Sequence, residues 1–182
     1  MSESHLVVPV GADDHLAGSS GAPVMLVEYG DYECPYCGAA YPIVKRLQRE
    51  LGDRLTLVFR NFPLTEAHPH AERAAESAEA AGAQGKFWEM HDQLFENQQA
   101  LAPKNLVDYA RQLGLDDARV ERELTDGTWR PRVRGDFRGG VRSGVNGTPT
   151  FFINGERFDG DWTNEREFVA ALRDAAHHRT TA

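Results

Sequence analysis

Cysteine is scarce in this sequence, which has only Cys34 and Cys37 among its 182 residues. Small secreted domains that depend on several disulfides need more cysteines, and a chain of this length can bury a core without them. Two cysteines separated by two residues instead favour redox or metal chemistry. Three uses of the pair are open at this point: half of a zinc site, a structural disulfide, or a dithiol that opens and closes in a reaction cycle.

Long apolar runs are also absent, because no stretch approaches the roughly 18 residues that a membrane-spanning helix needs. Residues 1–22 lack the basic and apolar regions of a secretory signal, so a cytoplasmic location is expected. Acidic residues number 28 against 20 Lys and Arg, for a net charge of -8, and the basic residues form no long run. This distribution argues against nucleic acid as a partner.

The spacing of apolar residues predicts an α/β fold. Residues 24–29 form a near-continuous apolar run typical of a buried strand, and alternation over 55–61 predicts a second strand. Helical spacing connects the two strands, at Tyr41, Val44, Leu47 and Leu51. This order requires a crossover connection and a parallel strand pair. Residues 68–144 are rich in Ala, Glu and Gln at helical spacing, and strand patterns return only after them, before a final helix.

CPYC lies at the start of a predicted helix that also contains Pro42. GTPTFFING precedes a late strand, and the helical block contains HPHAERAA and GKFWEMHDQLF. Together these features resemble the DsbA-like branch of the thioredoxin superfamily, which implies a thioredoxin-like α/β fold with a central mixed sheet and an inserted helical subdomain. The residue patterns predict a flexible lead-in over the Gly-, Ser- and Asp-rich residues 1–22, a discontinuous domain of 23–63 and 145–178, and an insertion over 64–144.

The position of the cysteines suits disulfide exchange. A helix N-terminus carries about half a positive charge and exposed N–H groups, which favour the thiolate of Cys34 as the attacking sulfur. Cys37 lies one turn further in and is predicted to be the buried, resolving thiol. A structural bridge across so short a loop removes little chain entropy. Zinc needs four ligands, and the remaining candidates are histidines such as His68 and His70, which are predicted to be surface residues.

Glu28 lies in the first predicted strand, among apolar residues that imply at least partial burial. Burial raises the pKa of a carboxyl group, which suits Glu28 to accept the proton of Cys37 when that thiol attacks. The resemblance implies an acid at this place, whereas the alternative is a strand glutamate whose carboxylate reaches water. Asp31 and Glu33 are expected to be solvated, and their negative charge would oppose thiolate formation at the dithiol.

Four further residues are predicted to contact substrate: Pro35 and Tyr36 between the cysteines, and Thr148 and Pro149. The resemblance implies a cis peptide bond between Thr148 and Pro149, with the Thr148 backbone left to bind an extended substrate. Tyr36 is expected to be an exposed, partly apolar contact.

The function predicted from the resemblance is thiol–disulfide exchange with protein thiols and disulfides, without a bound cofactor or metal. A thiol reductant or a reductase would recycle the dithiol. Two alternatives are open. The Pro-Tyr dipeptide resembles that of glutaredoxins and favours a transferase for a low-molecular-weight thiol, whereas a binding module would use the dithiol only to regulate its shape.

Overall fold

The structure is a computed structural model that describes residues 5–180, with side chains described for residues 5–178. The chain divides into two compact units. The sheet unit contains residues 5–30, 39–60 and 139–180, and the helical unit contains residues 31–38 and 61–138. Among the described residues, no helix combines the length and the apolar character needed to cross a membrane.

In the described part of the chain, five strands form one mixed sheet, which confirms the predicted fold class. The strands are β1 (His15–Ala17), β2 (Val24–Gly30), β3 (Leu55–Asn61), β4 (Thr150–Ile153) and β5 (Glu156–Arg157), in the spatial order β1-β3-β2-β4-β5. Strand β2 is buried at almost every position because its residues are nearly all apolar. It pairs antiparallel with β4, in a register that sets Glu28 opposite Phe151. The β4–β5 hairpin turns at Asn154 and Gly155, both at positive φ as a tight hairpin turn requires.

Within residues 5–180, seven α-helices accompany the sheet: α1 (Pro35–Leu51), α2 (Ala71–Gly82), α3 (Phe87–Glu96), α4 (Pro103–Gln112), α5 (Asp117–Asp126), α6 (Arg130–Arg142) and α7 (Glu165–Thr180). Helices α2 to α6 lie in the stretch for which the sequence predicts a block of helices. Local signals set their ends. Pro103 occupies the first turn of α4, the Asp116 side chain accepts a hydrogen bond from the Arg119 N–H at the start of α5, and Gly127 ends α5 in the left-handed conformation.

The predicted flexible lead-in differs from the structure. Residues 1–4 lie outside the described part of the chain, but β1 joins the sheet by antiparallel pairing with β3. The buried Arg60 explains this order, because its guanidinium binds both carboxylate oxygens of Asp14, at 2.8 and 2.9 Å. It also donates to the Val8 carbonyl at 2.8 Å and to the Tyr29 hydroxyl at 3.0 Å. The Gly-, Ser- and Asp-rich composition gives no sign of this long-range anchor.

Replacing Arg60 with Met should destabilise the protein by about 3 to 5 kcal/mol, because Asp14 would be left buried without its cation. Arg46→Met is the matched control, since the Arg46–Glu165 pair in the same unit has side chains 47% and 42% exposed. An exposed pair of this kind contributes little to stability, because water and salt screen its charges. Urea unfolding of both variants measures the difference, and equal losses would contradict the anchoring role of Arg60.

Candidate active site

The two cysteines lie where strand β2 gives way to helix α1, within the helical unit. The Cys34 carbonyl accepts the Gly38 N–H at 3.0 Å, so Cys34 is the N-cap residue of α1 and Pro35 is the first helical residue. Both cysteines are buried and in the thiol form. Cys34 therefore faces the positive end of the helix, as the sequence predicts, and Cys37 follows in the first turn.

The Cys37 sulfur receives a backbone hydrogen bond. The Asp31 N–H donates to Cys37 Sγ at 3.4 Å, and the Asp31 carbonyl accepts the Cys34 N–H at 3.1 Å. An N–H donor favours the charged form of an acceptor sulfur. Cys37 is thus fully buried, as predicted, and it also has a donor that supports negative charge on its sulfur.

Asp31 is not solvated, so that expectation is wrong. Its buried carboxylate accepts the backbone N–H groups of Glu33 and Leu64, both at 2.8 Å. His68 completes the set, because its Nδ1 lies 2.7 Å from Asp31 Oδ2 and acts as the donor. The loop between β3 and α2 covers the Asp31 carboxylate, which the local sequence does not reveal.

Glu33 is also engaged, by His70. The His70 N–H donates to one carboxylate oxygen at 2.6 Å, and His70 Nδ1 lies 2.9 Å from the other. Two neighbouring imidazole–carboxylate pairs therefore join the cysteine loop to residues 61–70. These contacts explain why residues 31–38 fall in the helical unit, whereas the predicted boundary placed them with 23–63.

His68 is the more enclosed of the two histidines, with its side chain 18% exposed against 43% for His70. Burial lowers the pKa of His68, whereas the hydrogen bond to Asp31 raises it. The negative charges of Asp31, Cys34 and Glu33 also raise this pKa, and the net shift is upward. The prediction that His68 is a plain surface residue is therefore wrong.

Gln98 is a site residue that the sequence analysis missed. Its Nε2 donates to the Tyr32 carbonyl at 2.8 Å and to the Cys34 carbonyl at 2.9 Å. A Cβ atom at position 38 would overlap the Gln98 side chain, so glycine there admits the amide. Only Gly38, directly after the CPYC motif, could have signalled this close approach.

Pro35 and Tyr36 are the exposed part of this segment, and the Tyr36 side chain is 69% exposed. A cavity of about 370 Å³ lies beside Pro35. Its other lining residues include Glu33, His68, His70 and Gln98. The exposure of Tyr36 agrees with the predicted contact, and substrate binding by Pro35 and Tyr36 stays a prediction.

The remaining predicted site residues belong to the sheet unit. Glu28 is buried in β2, where burial raises its pKa to about 8. Among the described residues, its Oε1 has no hydrogen-bond partner. The alternative of a carboxylate that reaches water is therefore wrong, and the predicted proton transfer from Cys37 stays a prediction.

Thr148 and Pro149 precede β4 and are half-buried. The peptide bond between them is cis, which is the conformation that the resemblance implies. Their contact with substrate stays a prediction. Across residues 5–178, no three His, Cys, Asp or Glu side chains are arranged to hold a metal ion.

Comparison with known proteins agrees with this architecture. Residues 11–174 match the sequence model of a family described as thioredoxin. The chain belongs to the thioredoxin family.

Two solved structures share the fold of this thioredoxin-family chain. Oxidised BdbD from Bacillus subtilis aligns with a TM-score of 0.85 and 22% identity, over 97% of this chain and 100% of that one. The alpha-DsbA1 protein of Wolbachia pipientis aligns with a TM-score of 0.80 and 17% identity, over 99% of this chain and 98% of that one. These likenesses concern the fold, and they confirm the predicted DsbA-like architecture.

A curated relative is much longer than this chain. The Na(+)/H(+) antiporter NhaA 1 of Salinispora arenicola is 49% identical over 161 residues, which are 88% of this chain and 24% of the relative. The thioredoxin-family chain therefore spans about a quarter of the length of that relative.

Replacing Glu28 with Gln should flatten the pH dependence of stability. The folded pKa of about 8 lies above the ordinary value of 4.5, so the folded state keeps a proton that the unfolded chain has lost. The stability contributed by Glu28 is complete below the unfolded pKa of 4.5 and is lost as the pH rises through the folded pKa of about 8. Between these two pKa values the free energy of unfolding of the wild type should fall by up to about 1.4 kcal/mol per pH unit relative to the variant.

Urea unfolding in excess reductant at about pH 5, 6.5 and 8 measures this difference. The exposed Glu156 on β5 supplies the control, because Glu156→Gln removes a carboxyl group that water already solvates. Parallel pH profiles for the wild type and Glu28→Gln would contradict the burial of an uncompensated carboxyl group.

Proposed function

We propose that this chain is a DsbA-like thiol–disulfide oxidoreductase that exchanges disulfides with protein substrates through Cys34 and Cys37. One observation carries the proposal: two thiols share the first turn of a helix but have different surroundings. Cys34 caps the helix beside the exposed Pro35 and Tyr36, whereas Cys37 is enclosed and hydrogen-bonded to the Asp31 N–H. Membership of the thioredoxin family supports this reading of the site.

The proposed cycle begins with attack by Cys34. Its thiolate attacks one sulfur of a substrate disulfide, a mixed disulfide forms, and the other substrate sulfur leaves as a thiolate. Cys37 then loses its proton and attacks Cys34 Sγ, which releases the second substrate thiolate and closes the Cys34–Cys37 disulfide. Two electrons pass to the substrate in this direction, and the same steps in reverse oxidise a dithiol.

In this proposal the helix end determines which sulfur acts first, and the backbone supports the second step. About half a positive charge at the N-terminus of α1 favours the Cys34 thiolate, and thiolates are the attacking species. Cys37 becomes charged only when it resolves the adduct, and the Asp31 N–H then stabilises that charge. Proton acceptance by Glu28 belongs to this second step of the proposal.

The recycling partner in this proposal is a thiol reductant or a reductase, and the expected cytoplasmic location stays a prediction. The direction of electron flow follows from the reduction potential of the pair relative to its surroundings. The antiporter name belongs to a much longer relative, and our proposal concerns only the thioredoxin-family part that this chain represents.

A transferase for a low-molecular-weight thiol is the second candidate. The cavity of about 370 Å³ beside Pro35 favours it, because a small polar molecule fits among the imidazole and amide groups that line this space. The two candidates differ in their covalent partner, which is a protein in the first and a small thiol in the second.

Exchange through a mixed disulfide makes the two sulfurs unequal, and trapping in cell extracts tests this. Cys37→Ser leaves an attacking Cys34 without a resolving thiol, so covalent complexes should accumulate on non-reducing gels and disappear with reductant. Cys34→Ser is the matched variant and should form none, because Cys37 is fully enclosed inside the first turn and does not occupy the N-cap position beside the exposed residues.

Equal trapping by both variants, or by neither, would contradict the assigned roles. A mass increase of one small thiol on Cys37→Ser, without protein complexes, would favour the transferase. If the wild type turned over no disulfide, the result would favour the third possibility, a binding module whose dithiol only regulates its shape.

A further inference from the structure

Asp31 connects the dithiol to His68 within the helical unit. Its N–H donates to the Cys37 sulfur and its C=O accepts the Cys34 N–H, whereas its carboxylate binds His68 Nδ1 at 2.7 Å. The Leu64 N–H fixes the same carboxylate oxygen at 2.8 Å. His68 is thereby held at a defined place beside the residues that position both sulfurs.

The surroundings of His68 are mostly anionic. Asp31 binds it directly, the negative charges of Glu33 and Cys34 act on it, and His70 lies two residues further along its own segment. His70 is engaged by Glu33, so its ring pairs with a different carboxylate. His68 also borders the cavity beside Pro35, through which water can reach and exchange its proton.

We propose that His68, held by Asp31, is a positioning residue of the dithiol, and that its protonated ring stabilises the Cys34 thiolate. The inference rests on the proposed exchange function and names the group that tunes its attacking sulfur. Because an imidazole can gain or lose a proton, His68 would link the reactivity of Cys34 to the pH of the surroundings.

The charges around Cys34 decide how readily its thiolate forms. Asp31 and Glu33 would oppose a thiolate at Cys34, and a protonated His68 paired with the Asp31 carboxylate offsets that effect. The negative charge of Cys34 also contributes to the upward pKa shift of His68, as expected if the thiolate and the imidazolium attract each other. Coupling between two sites is reciprocal, so the thiolate must favour the imidazolium as much as the imidazolium favours the thiolate.

The hydrogen bond to Asp31 could also give His68 a purely structural role. The variants must therefore separate the effect of the His68 charge from the effect of this hydrogen bond. His68→Gln keeps a side-chain donor for Asp31 without the charge, and His68→Lys restores a cation. His70→Gln is the matched control, because it removes the neighbouring imidazole from Glu33 and leaves the Asp31 pair in place.

The thiolate absorbance of Cys34 is measured against pH in the Cys37→Ser background, where only one thiol remains. His68→Gln should raise the midpoint by about half a pKa unit or more, roughly a threefold loss of thiolate near the midpoint. His68→Lys should recover most of the shift, and His70→Gln should change the midpoint much less. In the wild type, the His68 pKa followed by NMR should be higher in the reduced than in the oxidised protein.

An unchanged midpoint in His68→Gln, an equal shift in His70→Gln, or a His68 pKa independent of the redox state would overturn the inference. If the wild type turns over disulfides in these cases, exchange by the dithiol still stands. A wild-type midpoint at or above about 8, together with no trapping by Cys37→Ser, would overturn the proposed function as well.

Discussion

The hydrogen bonds of Asp31 are the interaction on which the geometry of the dithiol depends. Its backbone binds the Cys34 N–H and the Cys37 sulfur, and its carboxylate binds three donors, of which Leu64 and His68 lie more than 30 residues further along the chain. A carboxylate this deeply buried is stable only when its oxygens are satisfied, and here all three donors converge on it. Without these bonds, the loop before α1 would lose its fixed position beside the helix N-terminus.

The electrostatics of the dithiol follow from this arrangement. A helix end favours a thiolate, whereas the acidic residues of the GDYEC segment oppose it, and the sequence alone leaves the balance open. His68 and His70 each engage one of these carboxylates, so an imidazole faces each acidic side chain. Glu28 in the sheet unit differs from these two acidic residues, because its burial raises the pKa of its carboxyl group to about 8.

Local sequence patterns predicted much of this fold, but they did not predict the polar contacts between residues far apart in the sequence. The apolar run of β2, the helical spacing after CPYC and the helical block each record burial of neighbouring residues, so short windows reveal them. Strand β1 escaped prediction because Arg60, 46 residues from Asp14, orders it. The expectation that Asp31 is solvated was wrong because Leu64 and His68, which bind its carboxylate, are distant in the sequence. Gln98 was missed because it binds the Cys34 carbonyl from 64 residues away.

The central claim is that Cys34 and Cys37 are chemically unequal thiols of one redox pair. Alkylation of the reduced protein across a pH series, with each cysteine followed separately by mass spectrometry, tests it most directly. The account predicts that Cys34 reacts with a midpoint between about 4 and 7, well below the roughly 8.5 of an ordinary cysteine, while Cys37 stays protected. A Cys34 midpoint at or above about 8, or equal reaction of both cysteines at every pH, would contradict it.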